Sequence, residues 1–143
     1  MGVYHLTMHY TRDTLPGLLR SHDINPTHQR IEIAHALFSH REHLSADQIM
    51  AIVNTSHSET SKATVYNTLN LFLEKHLIRE VIVDPSKVFY DPNTKPHHHL
   101  YEVDSGKLSD IDAEGVHISG LPVLPEGMVT EGIDLIVRVR RQH

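Results

Sequence analysis

The chain has 143 residues, 39% hydrophobic and 22% charged, with seven Gly and seven Pro, which describes a folded globular protein of one or two domains and excludes collagen-like and low-complexity classes. It contains no cysteine, so disulfide frameworks, zinc ribbons, thiol nucleophiles and thiolate haem ligation are excluded together, and any metal must be held by N and O donors. The net charge of −5 divides unevenly: residues 1–95 hold nine Lys/Arg against ten Asp/Glu and residues 96–143 hold four against eight, so a basic stripe for nucleic acid fits only the first part.

Residues 1–10 lack the basic and then apolar order of a signal peptide, and no run approaches the roughly 18 apolar residues of a membrane span, so the expected location is cytoplasmic with no membrane partner. Asn25-Pro26 then reads as a helix start, Asn as N-cap and Pro at the first helical position, with Ile31, Ala34, Leu37 and Phe38 as one apolar stripe through Ser39. Ser45 followed three residues later by Gln48 has capping-box spacing, and Ile49, Ile52 and Val53 carry a second helix that ends between Asn54 and Ser58. Ser61 opens a third, in which Val65, Leu69, Phe72 and Leu73 face the core and Lys62, Tyr66, Asn67 and Asn70 lie opposite.

The β-branched and aromatic runs 77–83 and 88–90 flank Asp84-Pro85-Ser86-Lys87, a compact turn, and so predict a hairpin. Helices followed by a two-stranded wing make a winged helix-turn-helix, whose third helix would enter the major groove. The prolines and Asn of residues 92–96 predict a hinge. Beyond it, strands 97–103 and 107–111 flank the turn Asp104-Ser105-Gly106, any helix is confined to a short one near 112–119, and residues 133–141 alternate Ile133, Leu135, Val137 and Val139 against Asp134, Arg138 and Arg140. Three strands from fewer than fifty residues bury little alone, and a second copy is the simplest cover. The expected fold class is α+β: a winged helix-turn-helix DNA-binding domain over 1–91, a hinge over 92–96, and a small α/β dimerisation and metal- or haem-sensing domain over 97–143.

Histidine is over-represented, with 14 copies. In a strand beginning at His97, His97 and His99 project from one face and His98 from the other, so only alternate members can share a metal. Asp91 closes the preceding wing strand, and Asp110 lies where a hairpin returns beside His99. Two imidazoles with one or two carboxylates suit Zn, Fe, Mn or Ni. His43, just before the second helix, would tie the two domains together if it joined that set. His22, His35, His57 and His76 read as structural or solvated.

The run Lys62 to Ile78, with Ala63-Thr64-Val65-Tyr66, resembles the recognition helix of the ferric uptake regulator (Fur) superfamily. The resemblance extends to Pro26-Thr27-His28-Gln29-Arg30, His43-Leu44-Ser45-Ala46-Asp47, Val88-Phe89-Tyr90-Asp91, the His97-His98-His99 triplet, Gly106-Lys107 and the final Ile-Val-Arg-Val-Arg strand. It implies a homodimeric regulator that binds a double-stranded DNA operator through Arg30, Lys62, Ala63, Thr64, Tyr66 and Asn67. It also implies a regulatory site for a divalent metal (Fe, Mn or Zn) at His43, Asp91, His97, His99 and Asp110. The family's second site is matched poorly, by His98 and His117, and its four-cysteine structural zinc site is absent. Tyr66-Asn67, the His triplet followed by an apolar residue, and the missing cysteines are most like the iron response regulator (Irr) branch, which implies control of iron and haem genes. In that branch haem acts through the triplet, which implies a haem or second metal site here at His97, His98, His99 and His117. A metal-corepressed Fur or manganese-uptake type of repressor is the alternative. A His/Asp metallohydrolase is a remote one, since no HExxH, nucleophile elbow or phosphate loop is present, and no enzyme activity is expected.

Overall fold

The computed structural model of the chain describes residues 10–40, 42–56 and 60–142. The stretch examined for a signal peptide, apart from Tyr10, and the far end of the second predicted helix, with His57 and Ser58, lie outside the described residues. Contacts divide the chain between Lys95 and Pro96 into two compact units.

The first unit holds four helices, α1 (Leu15–Ser21), α2 (His28–Ser39), α3 (Ala46–Ser56) and α4 (Lys62–Glu74), and a hairpin of β1 (Arg79–Asp84) and β2 (Lys87–Asp91). Helix α1 is absent from the sequence expectation. It is only seven residues long, too short to show a helical period, yet Pro16 in its first turn is a start signal that could have revealed it. It also shifts the buried face of α2. The expected stripe of Ile31, Ala34, Leu37 and Phe38 is replaced by Ile33, Ala34, Ala36 and Leu37, with Ile31 and Phe38 only partly buried. Glu32 is buried too, because Arg12 grips it through Nε at 2.8 Å and Nη2 at 3.1 Å. The N-cap is Thr27 rather than Asn25: the Thr27 hydroxyl accepts from the Arg30 N–H, while the Asn25 carbonyl takes the Thr27 N–H at 3.0 Å.

The capping box of α3 forms as expected, with the Ser45 N–H donating to Gln48 Oε1 at 2.9 Å and the Gln48 N–H to Ser45 Oγ at 3.2 Å. Ser61 caps α4 through the Thr64 N–H, and Val65, Leu69 and Phe72 enter the common core with Leu15, Leu19, Ile33, Leu37 and Ile49. Thr68 is buried beside them, whereas Leu73 is only partly covered.

Helix α4 ends in a Schellman motif. The Leu77 N–H donates to the Phe72 carbonyl and the His76 N–H to that of Leu73, which places His76 at φ 60°. Leu77 is spent on this cap, so β1 begins at Arg79, two residues later than the hydrophobic run suggests. The left-handed backbone at His76 carries a Cβ penalty that glycine avoids, partly offset by glycine's larger unfolded-state entropy. His76→Gly should therefore raise stability by about 1 kcal/mol in urea denaturation. A fall in stability would show that the imidazole contributes more than the strain costs.

His35, on α2, titrates below the ordinary imidazole value because burial, and then the nearby Arg12 cation, disfavour its charged form and outweigh the pull of Glu32. The folded chain then binds fewer protons at this site than the unfolded chain. Its contribution is complete above about pH 6.5 and is lost as pH falls toward the depressed folded value. His35→Gln should flatten part of the decline in unfolding free energy between about pH 7.5 and 5.5. An unchanged decline would assign it to other groups.

In the hairpin, Val81 pairs with Phe89 and Ile82 with Val88, and a bulge before Asp84 leads into a turn where Asp84 Oδ1 accepts from the Ser86 N–H and hydroxyl at 2.8 and 2.7 Å. The second unit is a three-stranded sheet in the order β4 (Leu108–Ile111), β3 (His98–Glu102), β5 (Ile136–Val139). Strands β3 and β4 are antiparallel around Gly106 at φ 76°, and β3 and β5 are parallel. The short helix expected near 112–119 is a single 3-10 turn, Ala113–Gly115. The terminal strand is shorter than expected, and Ile133, Val137 and Val139 are exposed in the single chain rather than half-buried, at 41%, 40% and 36%. Residues 117–134 are also exposed throughout, including Leu121, Val123, Leu124, Met128 and Val129. Among the described residues no helix is long and apolar enough to cross a membrane.

Candidate metal centre and nucleic-acid face

Each unit carries a buried set of imidazole and carboxylate donors. In the first unit the bridge between Leu44 and Tyr90, with the Tyr90 N–H donating to the Leu44 carbonyl at 2.9 Å, ties the start of α3 to β2. The flanking residues are His43 and Asp91, and His43 Nε2 stands 3.4 Å from Asp91 Oδ2. Asp91 is wholly buried, and its other oxygen is fixed by the Asn93 N–H at 2.8 Å in an Asx turn. The same Oδ2 lies 4.0 Å from Arg79 Nε, whose residue sits directly across the hairpin. Arg79 and Asn93 escaped the sequence reading. Counting outward from the 84–87 turn could have found Arg79, because the register sets it opposite Asp91.

In the second unit the pleat of β3 and its register with β4 supply the geometry. His99 is paired with Asp110 across the ladder, and His97, two positions earlier, falls on the same face. Both imidazoles direct Nε2 at one oxygen, Asp110 Oδ1, at 3.1 Å from His97 and 3.6 Å from His99. Their rings meet edge to face with centroids 4.6 Å apart. Two imidazole nitrogens meeting one carboxylate oxygen form an N/O donor set that fits a divalent ion. Among the described residues His99 and Asp91 combine 0% exposure with ligand atoms, so these two donors are shielded from bulk water.

His98 is turned away from this set, and its Nδ1 accepts the Leu135 N–H at 3.2 Å. His117 is exposed. Among the described residues neither enters a cluster of three or more potential ligands. Tyr101, beside the triplet, is buried opposite Leu108.

On α4 the outer face presents Lys62, Ala63, Tyr66 and Asn67, all exposed, with Tyr66 at 38%. The Lys62 ammonium lies 6.0 Å from the Tyr66 ring centroid, at the limit of a cation–π contact. Thr64 is half-buried, and its hydroxyl accepts from the capping Ser61 hydroxyl at 2.9 Å. Arg30 is held by the Asn25 carbonyl at 2.9 Å through one nitrogen, which leaves the rest of its guanidinium donors for a phosphate.

The family model of the ferric uptake regulator family matches residues 21–136. The peroxide-responsive repressor PerR of Staphylococcus aureus is 33% identical over 92 residues, which is 64% of this chain; the chain thus spans 62% of the length of that relative. Among solved structures, a zinc-bound manganese uptake regulator superposes with a TM-score of 0.69 at 19% identity, over 90% of this chain and 99% of the other. The ferric uptake regulator of Pseudomonas aeruginosa with manganese gives 0.64 at 22%, over 89% and 97%. That of Francisella tularensis with iron gives 0.65 at 22%, over 83% and 92%.

Proposed function

This chain belongs to the ferric uptake regulator family, and from that premise we propose that it is a dimeric transcription regulator whose binding to a duplex operator responds to a divalent metal ion. The observation that carries the proposal is the convergence of His97 and His99 Nε2 on Asp110 Oδ1, an N/O donor set with both imidazoles buried. Three donors leave positions open on a six-coordinate cation. His43 and Asp91, a second buried donor pair, lie on the other side of residues 92–96, only six positions separating Asp91 from His97. The family resemblance adds His43 and Asp91 to the regulatory ligands, and metal occupancy would then control DNA binding. Structural neighbours whose names mention zinc, iron or manganese support a metal effector of this kind.

The homodimer follows from the apolar residues that the single chain leaves uncovered along 117–139, since a large exposed apolar surface on a soluble domain marks an interface. We place the first unit's α4 in the major groove, with Tyr66 against a thymine methyl or phosphate, Asn67 on an adenine edge, Lys62 and Arg30 on phosphates, and Ala63 close to the groove floor. Thr64 supports that helix from its cap. A second reading, release from DNA by haem as in the iron response regulator branch, is favoured by the His97-His98-His99 triplet followed by the apolar Leu100.

The test begins by selecting the duplex that the metal-loaded protein retains from a random pool. Tyr66→Ala should weaken binding to that duplex by roughly 1–3 kcal/mol and leave the fold intact, because its side chain lies opposite the core. Lys62→Ala should lower affinity for all duplexes alike and reduce the salt slope by about one. An unfolded Tyr66→Ala, or one that binds as tightly as wild type, would put the recognition surface elsewhere.

A further inference from the structure

The strand that ends the described chain is weakly attached. Strand β5 has four residues, pairs only with β3, and pairs in parallel, the less stable arrangement per residue. Its side chains are mostly exposed, so packing adds little. Two points of attachment frame it. At its far end the Val103 N–H donates to the Val139 carbonyl at 2.8 Å and the Arg141 N–H to Asp104 Oδ2 at 2.7 Å. At its start both backbone groups of Leu135 are held by consecutive histidines: the His99 N–H donates to the Leu135 carbonyl at 3.0 Å, and the Leu135 N–H donates to the His98 imidazole Nδ1 at 3.2 Å.

His98 thus sits between two candidate ligands, His97 and His99, while its own side chain grips a different strand. An ion held by His97 and His99 fixes the β3 backbone on both sides of His98, and with it the direction of the His98 ring. We propose that His98 is a positioning residue that passes metal occupancy to β5 through the Leu135 N–H, so that loading the site seats the start of the strand carrying the uncovered Val137 and Val139. This rests on the metal reading of His97, His99 and Asp110 given above. It gives His98 a role distinct from ligation, and it assigns the central histidine of the triplet to the link between the metal and the uncovered strand.

The experiment is amide hydrogen exchange on the full chain with Mn2+ or with chelator, beside calorimetric Mn2+ titration of each variant. In wild type, Mn2+ should slow exchange of the Val137 and Val139 amides, which face β3, by about tenfold or more, while the Arg141 amide, held by Asp104, stays unchanged. His98→Asn keeps an acceptor near the place of Nδ1 and should preserve the effect. His98→Leu should bind Mn2+ within about threefold of wild type yet lose the slowing. Leu135→Pro removes the donor N–H from the other side, at a strand start where proline is tolerated, and should match His98→Leu even if that variant folds poorly. Undiminished slowing in His98→Leu and Leu135→Pro would overturn the proposal. So would loss of Mn2+ affinity in His98→Leu, which would make His98 a ligand, or failure of His98→Asn to rescue. A wild-type chain that binds no Mn2+ in calorimetry would instead remove the metal reading itself, and this coupling with it.

Discussion

Replacing His99 with alanine should lower affinity for Mn2+ or Fe2+ by roughly 100-fold or more, because it deletes a direct donor where even supporting contacts to a metal ligand are commonly worth 10- to 100-fold. The residue is wholly buried, and its Nε2 is one of the two that converge on Asp110. His98→Ala should bind the ion nearly as wild type does, since that ring faces Leu135 instead. Binding to wild type should also weaken as pH falls below about 6.5, where free imidazole takes up the proton that a ligating nitrogen must lack. Calorimetric titration of the three proteins, with far-UV circular dichroism to confirm folding, reads the difference. Retained affinity in His99→Ala with loss in His98→Ala would mean that the opposite face of β3 carries the ion.

The second large effect lies on α4. Phe72 is fully buried among Leu15, Ile33, Leu69 and the other core residues of the first unit, and its carbonyl closes the Schellman cap. Phe72→Ala should cost about 3–5 kcal/mol through lost burial and the cavity left behind. That is a large share of the roughly 5–15 kcal/mol that keeps a domain of this kind folded. Tyr66, six positions earlier on the same helix, should cost little stability when truncated. The contrast between a residue that holds the helix and one that uses its outer face is measurable by urea denaturation. Equal losses at the two positions would mean that α4 buries both faces.

Which features were legible in the chain depends on whether their cause is local. The Ser45/Gln48 box and the Ser61 cap are set by side chains three residues apart, and both are visible in the spelling. The same holds for the alternation that sends His97 and His99 to one face and His98 to the other. Asp110 needed only a hairpin register, centred on a turn that Gly106 makes easy. Helix α1 was missed because seven residues show less than two turns of periodicity, and its absence then misplaced the buried face of α2. Glu32 could not be anticipated as buried, since its partner Arg12 lies twenty residues away. The last strand shows the opposite failure. Its alternation is real, but the surface that would cover Ile133, Val137 and Val139 is absent from the single chain, so a period-2 pattern did not guarantee burial within it. Arg79 was overlooked because its link to Asp91 runs across the wing rather than along it.

In the proposed regulator, the ion held at His97, His99 and Asp110 controls DNA binding. The most direct measurement is fluorescence anisotropy of the selected duplex titrated with wild-type protein and with His99→Ala, each in Mn2+ and in chelator. Wild type should show at least a tenfold difference in duplex affinity between the two conditions, and His99→Ala, which removes a buried donor, should show none. Tighter binding in Mn2+ would mark a corepressor, whereas indifference to Mn2+ with release by haem would favour the haem-sensing alternative. Equal duplex affinity of the wild type in Mn2+, in chelator and in haem would contradict the account.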